Sequence, residues 1–179
     1  MSDPRDAILG LFDSYAVRYP EESETVTRIR TFVARNPDCF RRELLQGHIT
    51  GSAWVVDRSR DRTLLTHHRK LDIWVQLGGH ADGDPDVGRV ALREAEEESG
   101  ISNLALVSDE IFDIDIHSIP ARGNEPEHFH YDCRFMIEAR DEDYVVSDES
   151  HDLAWIDLDC ITEYTTEDSM LRMRAKTSR

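Results

Sequence analysis

Apolar positions in the first part of the chain follow the spacing of amphipathic helices. A first stripe falls at i, i+3, i+4 and i+7 and consists of Ile8, Leu11, Phe12 and Tyr15. It ends where Pro20 follows Tyr19, and a second stripe, of Val26, Ile29, Phe32 and Val33, ends before Pro37. Apolar residues at 40, 44 and 45 indicate one further helical turn. The pattern predicts a helical N-terminal extension over residues 1–46, whose stripes either pack on the rest of the chain or form a homodimer contact.

Beyond residue 48 the pattern changes to the short alternating runs that are typical of strands. Strands are predicted at residues 49–57, 63–66, 73–77, 104–107, 111–117, 129–139 and 153–156. The first two form a hairpin, and Gly78-Gly79 closes the third. One helix lies between the third and fourth strands, and another closes the chain at residues 167–176. Because strands dominate without regular strand–helix alternation, the predicted fold class is α+β, with the main domain at residues 47–179.

The helix between the third and fourth strands has clear signals at both ends. Asp84 is a suitable N-cap, and Pro85 suits the first helical position, where its missing N–H costs nothing. Gly100 suits the position after the helix, where a left-handed conformation is favoured. These signals predict a helix over residues 85–99.

Three carboxylates of this helix share one side. At about 100° per residue, Glu94, Glu97 and Glu98 fall within roughly a quarter-turn or slightly more of each other, near the helix C-terminus. The helix dipole makes negative charge unfavourable there, so a divalent cation is one way to offset the cluster. Oxygen ligands favour Mg²⁺ or Mn²⁺ over zinc. The alternative is a solvated acidic face on which Arg93 pairs with Glu97.

Charge and length exclude several classes of function. The chain has 179 residues, 21 basic against 37 acidic, and a net charge of −16. Such a surface repels long nucleic acids but accepts a small phosphorylated substrate if a cation bridges the two. A membrane-spanning run of apolar residues is absent from the sequence, and the N-terminus lacks the pattern of a secretory signal, so a cytoplasmic location is expected. The three cysteines, with no C-x-x-C spacing, are expected to be reduced thiols.

Residues 79–101 resemble the Nudix box, a motif written G-x5-E-x7-R-E-U-x-E-E-x-G-U in which U is apolar. The matching residues are Gly79, Arg93, Glu94, Ala95, Glu97, Glu98, Gly100 and Ile101. Pro85 stands where the motif has its first glutamate. The surrounding strands extend the resemblance over about residues 49–161. The resemblance implies a Nudix-type α/β/α sandwich with a mixed sheet, preceded by the short helical extension.

The resemblance also implies an activity, the hydrolysis of the diphosphate linkage in a nucleoside diphosphate derivative such as ADP-ribose or a nucleotide sugar. Glu94, Glu97 and Glu98 would hold Mg²⁺, or Mn²⁺ in its place, and Gly79 would lend a carbonyl oxygen. Arg93 would orient the carboxylates and counts with Glu94 among the catalytic residues. Metal ions would neutralise the diphosphate and lower the pKa of the attacking water. The alternative, based on the proline in the motif, is a non-catalytic nucleotide-binding module with the same fold.

Two loop residues are further candidates. Glu149 lies in an acidic loop, in a region where Nudix enzymes often place an extra carboxylate, and is the candidate ligand or general base. Its alternative is an ordinary acidic loop. Arg69 belongs to a rare basic cluster at residues 67–70, which either holds a substrate phosphate or is only loop charge.

The predicted strand at residues 129–139 begins with a polar face. Polar and apolar residues alternate from residue 128, so His128, His130, Asp132 and Arg134 point to one side. If this face lines the substrate pocket, His130 and Arg134 are the candidate substrate contacts; the alternative is a solvent-exposed face. His-x-His can also bind a transition metal, as in a cupin-like protein, but the glutamate motif is the more specific signal.

Overall fold

The computed structural model describes residues 3–123, 126–148 and 150–178. Its helices are α1 (Asp6–Arg18), α2 (Ser23–Arg35), α3 (Val87–Ser99) and α4 (Asp168–Thr177), with 3-10 turns at Pro20–Glu22 and Leu158–Glu163. Its strands are β1 (Gly47–Val56), β2 (Arg62–His68), β3 (Ile73–Val75), β4 (Leu77–His80), β5 (Leu104–Leu106), β6 (Asp113–Ile119), β7 (His128–Ala139) and β8 (Ser150–Asp157). Within these residues, no helix combines the length and the apolar character needed to cross a membrane.

The described strands form one mixed sheet around β1. This strand pairs in parallel with β7 from Gly47, opposite Phe129, to Val56, opposite Glu138. The other pairings are antiparallel: β4 lies beside the middle of β1, and β2 joins β1 at Val56. Strands β5 and β6 extend the sheet beyond β7, while β3 and β8 flank β2. The sheet therefore has two arms, one formed by β2, β3 and β8 and the other by β5, β6 and β7. Strand β4 pairs with β1 between them.

Helices cover both faces of the sheet. On one face, apolar residues of α1, α2 and α3 share a buried cluster with Ile49 and Phe135. On the other face, Trp54 and Met136 pack with Met173 of α4 in a second cluster. Since neighbouring residues of a strand point to opposite faces, Trp54 and Phe135 belong to different layers. The layers confirm the predicted α/β/α sandwich.

The N-terminal helices pack against the rest of the chain. The ring of Phe32 in α2 stacks on that of Tyr131 in β7, with centroids 3.8 Å apart. Arg18, at the end of α1, donates a hydrogen bond of 2.8 Å to the carbonyl oxygen of Ile111. Lys176 of α4 donates a hydrogen bond of 2.5 Å to the hydroxyl of Tyr15 in α1. Of the two alternatives for the apolar stripes, the structure thus shows packing on the main domain.

Two predicted elements in the first half of the chain differ from the structure. The predicted third strand is two strands in the structure. Strand β3 pairs with β2 and ends at Val75, and β4 begins at Leu77 and pairs with β1. Gly78 and Gly79 lie within β4 instead of closing a strand. Residues 36–46 form turns before β1 and not the predicted helical turn. Two other strands start at shifted positions, β6 at Asp113 and β8 at residue 150.

The start of α3 was predicted two residues too early. The helix begins at Val87, and Asp86 caps it, since its carboxylate accepts a 3.1 Å hydrogen bond from the backbone N–H of Arg89. Pro85 therefore lies in the preceding loop. The end of the helix is as predicted, because Gly100 adopts the left-handed conformation with φ 70° and its N–H bonds to the carbonyl of residue 96.

Candidate active site

Two glycines let α3 lie close against the sheet. Gly51 of β1 and Gly79 of β4 are paired in register. A Cβ atom on Gly51 would lie 2.9 Å from the carbonyl oxygen of Val87, and one on Gly79 would lie 2.2 Å from Oε2 of Glu94. Gly51 therefore lets the backbone of α3 approach β1, and a methyl group at residue 79 would displace the carboxylate of Glu94. The arrangement places the carboxylate of Glu94 directly over β4.

Arg93 and the backbone of β4 hold the carboxylates of α3 in place. Arg93 donates a 2.8 Å hydrogen bond from Nη2 to Oε1 of Glu94, and the same nitrogen lies 3.3 Å from the carbonyl oxygen of residue 80. Its Nε lies 3.9 Å from Oε1 of Glu97. The backbone N–H of Gly78 donates a 3.4 Å hydrogen bond to Oε1 of Glu98. The structure therefore brings Glu94, Glu97 and Glu98 to the same edge of the sheet, beside Gly79.

The donor set of this patch suits a hard divalent cation. Three carboxylates adjoin one guanidinium, which leaves two negative charges in excess. The hydrogen bond with Glu94 raises the pKa of Arg93 above its ordinary value, so this arginine stays charged. The side chain of Glu94 is 19% exposed and that of Glu97 is 65% exposed, so the patch opens to solvent at one end. Oxygen donors of this kind fit Mg²⁺ or Mn²⁺.

Ion pairs fix the loop that joins β4 to α3. Arg42 binds both carboxylate oxygens of Asp82, and this pairing lowers the pKa of Asp82 below its ordinary value. Asp84 accepts a 2.7 Å hydrogen bond from the guanidinium of Arg89. Sequence reasoning did not identify Arg42 or Asp82, because the two residues belong to different segments whose contact no local pattern predicts. Pro85 lies in this fixed loop.

Arg134 occupies a different place from the one that the sequence suggested. It is 3% exposed, and its guanidinium lies 2.8 Å from Asp132, 3.2 Å from Asp113 and 3.6 Å from Asp115. Asp132 in turn accepts hydrogen bonds from the buried hydroxyls of residues 50 and 52. The polar face of β7 is therefore neither solvent-exposed nor open to a substrate at this point, and the donors of Arg134 are engaged inside the protein.

His130 belongs to a group of imidazoles at the start of β7. Its ring centroid lies 4.9 Å from that of His48, 5.2 Å from that of His128 and 5.4 Å from that of His117. Burial, together with the neighbouring imidazoles, lowers the pKa of His130 to about 2 and that of His48 to about 4. Sequence reasoning missed His48, since only the parallel pairing of β1 and β7 sets it opposite His130.

The two loop candidates lie on the other arm of the sheet or outside the described residues. Arg69 is exposed in the connection between β2 and β3, and its guanidinium donates a 3.0 Å hydrogen bond to the carbonyl oxygen of Ser150. Glu149 lies outside the residues that the structure describes. The structure thus places the carboxylates of α3 beside Arg93 and Gly79. Arg69 lies elsewhere, in the connection between β2 and β3.

The chain is similar to known proteins in sequence and in fold. A family model described as the NUDIX domain matches residues 48–174. A NUDIX-family hydrolase from Clostridium perfringens has a similar structure, with a TM-score of 0.53, 21% identity, and coverage of 73% of this chain and 96% of that chain. For a C. elegans Ap4A hydrolase the TM-score is 0.54 at 18% identity, with 73% and 94% covered.

A third similar structure is the NUDIX domain of Shewanella oneidensis NrtR complexed with ADP ribose. Its TM-score is 0.51 at 12% identity, with 73% of this chain and 85% of that chain covered. At these identities the structural likenesses support the fold alone. No curated protein shows significant sequence similarity to this chain.

Proposed function

The chain belongs to the Nudix family, and from this premise we propose that it is a divalent-metal-dependent pyrophosphohydrolase acting on a nucleoside diphosphate derivative. One observation carries the proposal. The carboxylate of Glu94 lies directly against Gly79 and is held there by a hydrogen bond from Arg93. A purely solvated acidic face has no need of such a fixed carboxylate.

Each residue of the patch has a proposed task. Glu94, Glu97 and Glu98 hold Mg²⁺ or Mn²⁺, with the carbonyl oxygen of Gly79 as a further donor. The bound cation supplies charge neutralisation at the diphosphate and lowers the pKa of the attacking water. Arg93 keeps the carboxylate of Glu94 in one orientation, as its 2.8 Å hydrogen bond indicates.

The reaction that we propose is hydrolysis at phosphorus. The oxygen of a water forms a bond to one phosphorus, and the bond from that phosphorus to the bridging oxygen breaks. The bridging oxygen leaves with the other phosphate, and the water loses a proton to a carboxylate of the site. We assign this proton transfer to Glu94, the carboxylate that Arg93 orients; Glu149 is the other proposed base.

The substrate class rests on charge and on the names of similar proteins. The net charge of −16 disfavours long nucleic acids, whereas a small phosphorylated ligand can bind where a cation bridges it to the acidic surface. The C. elegans protein is named for Ap4A, and the NrtR domain was crystallised with ADP ribose. Both molecules are small and contain a nucleoside joined to phosphates. We propose a ligand of this type, with exposed Arg69 as a phosphate contact.

A non-catalytic nucleotide-binding module is the second candidate. The specific observation in its favour is Pro85, which takes the place of a glutamate of the motif and lies in the fixed loop before α3. The acidic side chains nearest to it in sequence, Asp84 and Asp86, are engaged by Arg89 and by the helix N-terminus. Such a module would bind a nucleotide without turning it over.

A hydrolysis panel tests the proposal. The substrates are ADP-ribose, nucleotide sugars, dinucleoside polyphosphates and oxidised nucleotides, each with and without Mg²⁺, and chromatography resolves the products. Glu98→Gln removes one proposed ligand, and Glu96→Gln is the matched control, because Glu96 is exposed on the same helix but outside the patch. We expect Mg²⁺-dependent turnover that falls by about 100-fold or more in Glu98→Gln and is unchanged in Glu96→Gln.

Three results decide between the candidates. Equal losses in both variants would contradict the assignment of the metal patch. Binding of ADP-ribose without turnover of any panel member, with Mg²⁺ or with Mn²⁺, would favour the non-catalytic module. In that case turnover gained by Pro85→Glu would identify the missing glutamate as the cause. Unfolding followed by circular dichroism checks that each variant is folded.

A further inference from the structure

Five imidazoles gather on the face of the sheet that lies opposite α3. Centroids of their rings are 4.9–5.4 Å apart in six pairs, which join His48, His80, His117, His128 and His130. The strand pairing explains the grouping, since His48 lies opposite His130 in β7, and His130 lies opposite His117 in β6. Four strands, β1, β4, β6 and β7, therefore bring these histidines together.

Three of these rings offer nitrogens to a common point. One ring nitrogen from each of His48, His128 and His130 lies within 4.8 Å of the other two. His48 is 3% exposed, and neither of its ring nitrogens has a hydrogen-bond partner among the described residues. The same holds for the buried Nε2 of His130. Buried polar atoms without partners cost free energy, so this arrangement calls for a ligand that accepts nitrogen lone pairs.

The third ring, that of His128, is oriented so that its Nε2 is available to a metal ion. Nδ1 of His128 lies 2.9 Å from the carbonyl oxygen of Pro126. A carbonyl oxygen only accepts, so Nδ1 of His128 carries the proton and Nε2 is left with a free lone pair. A hydrogen bond from one ring nitrogen to a backbone carbonyl is the usual support for a histidine that binds a metal through the other nitrogen.

We propose that His48, His128 and His130 form a binding site for a divalent transition-metal ion, with Zn²⁺ as the ion it takes. Zn–N bonds of about 2.0–2.1 Å in tetrahedral geometry place the nitrogens about 3.4 Å apart. The present separations lie within 4.8 Å, and rotation of the side chains, above all of half-buried His128, brings the nitrogens to that distance. Three protein ligands leave the fourth position to water or another small ligand.

This site is separate from the carboxylate patch. Gly79 faces Glu94 of α3, so the next residue of β4, His80, points to the opposite face of the sheet. Nitrogen ligands favour zinc, whereas carboxylates and carbonyls favour magnesium. The proposal replaces the substrate contact that the sequence suggested for His130, and it does not depend on whether the chain hydrolyses nucleotides.

Isothermal titration of the full chain with ZnCl₂ tests the proposal. The buffer contains excess Mg²⁺, which occupies the carboxylate patch and does not compete for imidazoles. His128→Ala removes one ligand, and His151→Ala is the matched control, because His151 is an exposed histidine of β8 outside the cluster. Glu98→Gln reports on the carboxylate patch. A second readout is the visible absorption of Co²⁺, which distinguishes tetrahedral from octahedral coordination.

We expect one Zn²⁺ per chain, more than about tenfold weaker binding in His128→Ala, and unchanged binding in His151→Ala and Glu98→Gln. His48→Asn should weaken binding likewise, with its folding checked by thermal unfolding. Absence of Zn²⁺ binding in excess Mg²⁺ would overturn the proposal. So would wild-type affinity in His128→Ala, or affinity that falls in Glu98→Gln alone, since the zinc would then sit on the carboxylates.

Discussion

The free energy of unfolding should depend strongly on Asp113, a fully buried carboxylate of β6. Its Oδ1 accepts from Nε of Arg172 at 2.8 Å and Nζ of Lys176 at 2.6 Å, and its Oδ2 accepts from Arg134 at 3.2 Å and from Nη2 of Arg172 at 2.8 Å. Each oxygen thus receives two cationic donors. The carboxylate joins β6, β7 and α4, and Lys176 extends the connection to Tyr15 of α1.

Asp113→Asn keeps the shape of the side chain but replaces one oxygen with an N–H donor. Two cationic donors then lose their acceptor, and at about 1.5–3 kcal/mol for each charged hydrogen bond the loss is about 3–6 kcal/mol. That is a large share of the 5–15 kcal/mol typical of a folded protein. Urea denaturation at pH 7, followed by tryptophan fluorescence and circular dichroism, measures the difference.

Asp115→Asn is the matched control for this prediction. Asp115 lies on the same strand and contacts Arg172 at 3.3 Å and Arg134 at 3.6 Å, but its side chain is 25% exposed. Water therefore screens the contacts of Asp115 with the two arginines, and we expect the substitution to lower the free energy of unfolding by about 1 kcal/mol. The reasoning would be refuted if Asp113→Asn lost less than about 1 kcal/mol, or if the two variants lost equal amounts.

Three further predictions concern the fit of small residues and the buried thiols. Gly79→Ala should lower Mg²⁺-dependent hydrolysis by more than about tenfold, because the new Cβ would displace Glu94; unchanged steady-state kinetics would exclude this close contact. Gly100→Ala should lower the free energy of unfolding by about 1 kcal/mol in urea, since φ 70° is unfavourable for alanine; an equally stable variant would contradict that strain. Iodoacetamide should label Cys160 in the native protein well before Cys39 and Cys133, whose pKa values burial raises, as mass spectrometry of timed samples would reveal; simultaneous labelling would count against their burial.

Elements with strong local signals were predictable from the sequence. The second helix ends before Pro37 and α3 ends at Gly100, because proline and glycine restrict the backbone wherever the chain folds. The spacing of Glu94, Glu97 and Glu98 places them on one side of a helix, and the structure has them beside β4. These features depend on residues close together in the sequence.

The start of α3 shows where local signals fail. Asp84 and Asp86 are both suitable N-caps: Asp84 accepts the backbone N–H of Asp86 in the loop, and Asp86 accepts that of Arg89 in the first turn of the helix. The helix begins after Asp86, where the backbone of Val87, its first residue, lies close to Gly51 of β1. A local sequence pattern does not predict that contact, because the two residues belong to different elements.

The polar face of β7 shows the same limit over a longer range. Alternation predicts that His130 and Arg134 share a face, but it does not say whether that face meets water. Arg134 is buried because Asp113, on the neighbouring strand β6, supplies the opposite charge. His48 acquires its place only through the parallel pairing of β1 with β7, some eighty residues later in the chain.

The two metal sites that we propose are kept apart by the alternation of a single strand. In β4, Gly79 lies under Glu94, while the ring of the next residue, His80, is 5.0 Å from that of His48 on the opposite face. Oxygen donors and imidazole nitrogens therefore stay separate although they are neighbours in sequence. This separation matters for every metal assay, because the two proposed sites differ in chemistry and added Zn²⁺ could bind at either. A change in hydrolysis caused by zinc is assigned to the carboxylates only if it persists when the histidine site has been removed.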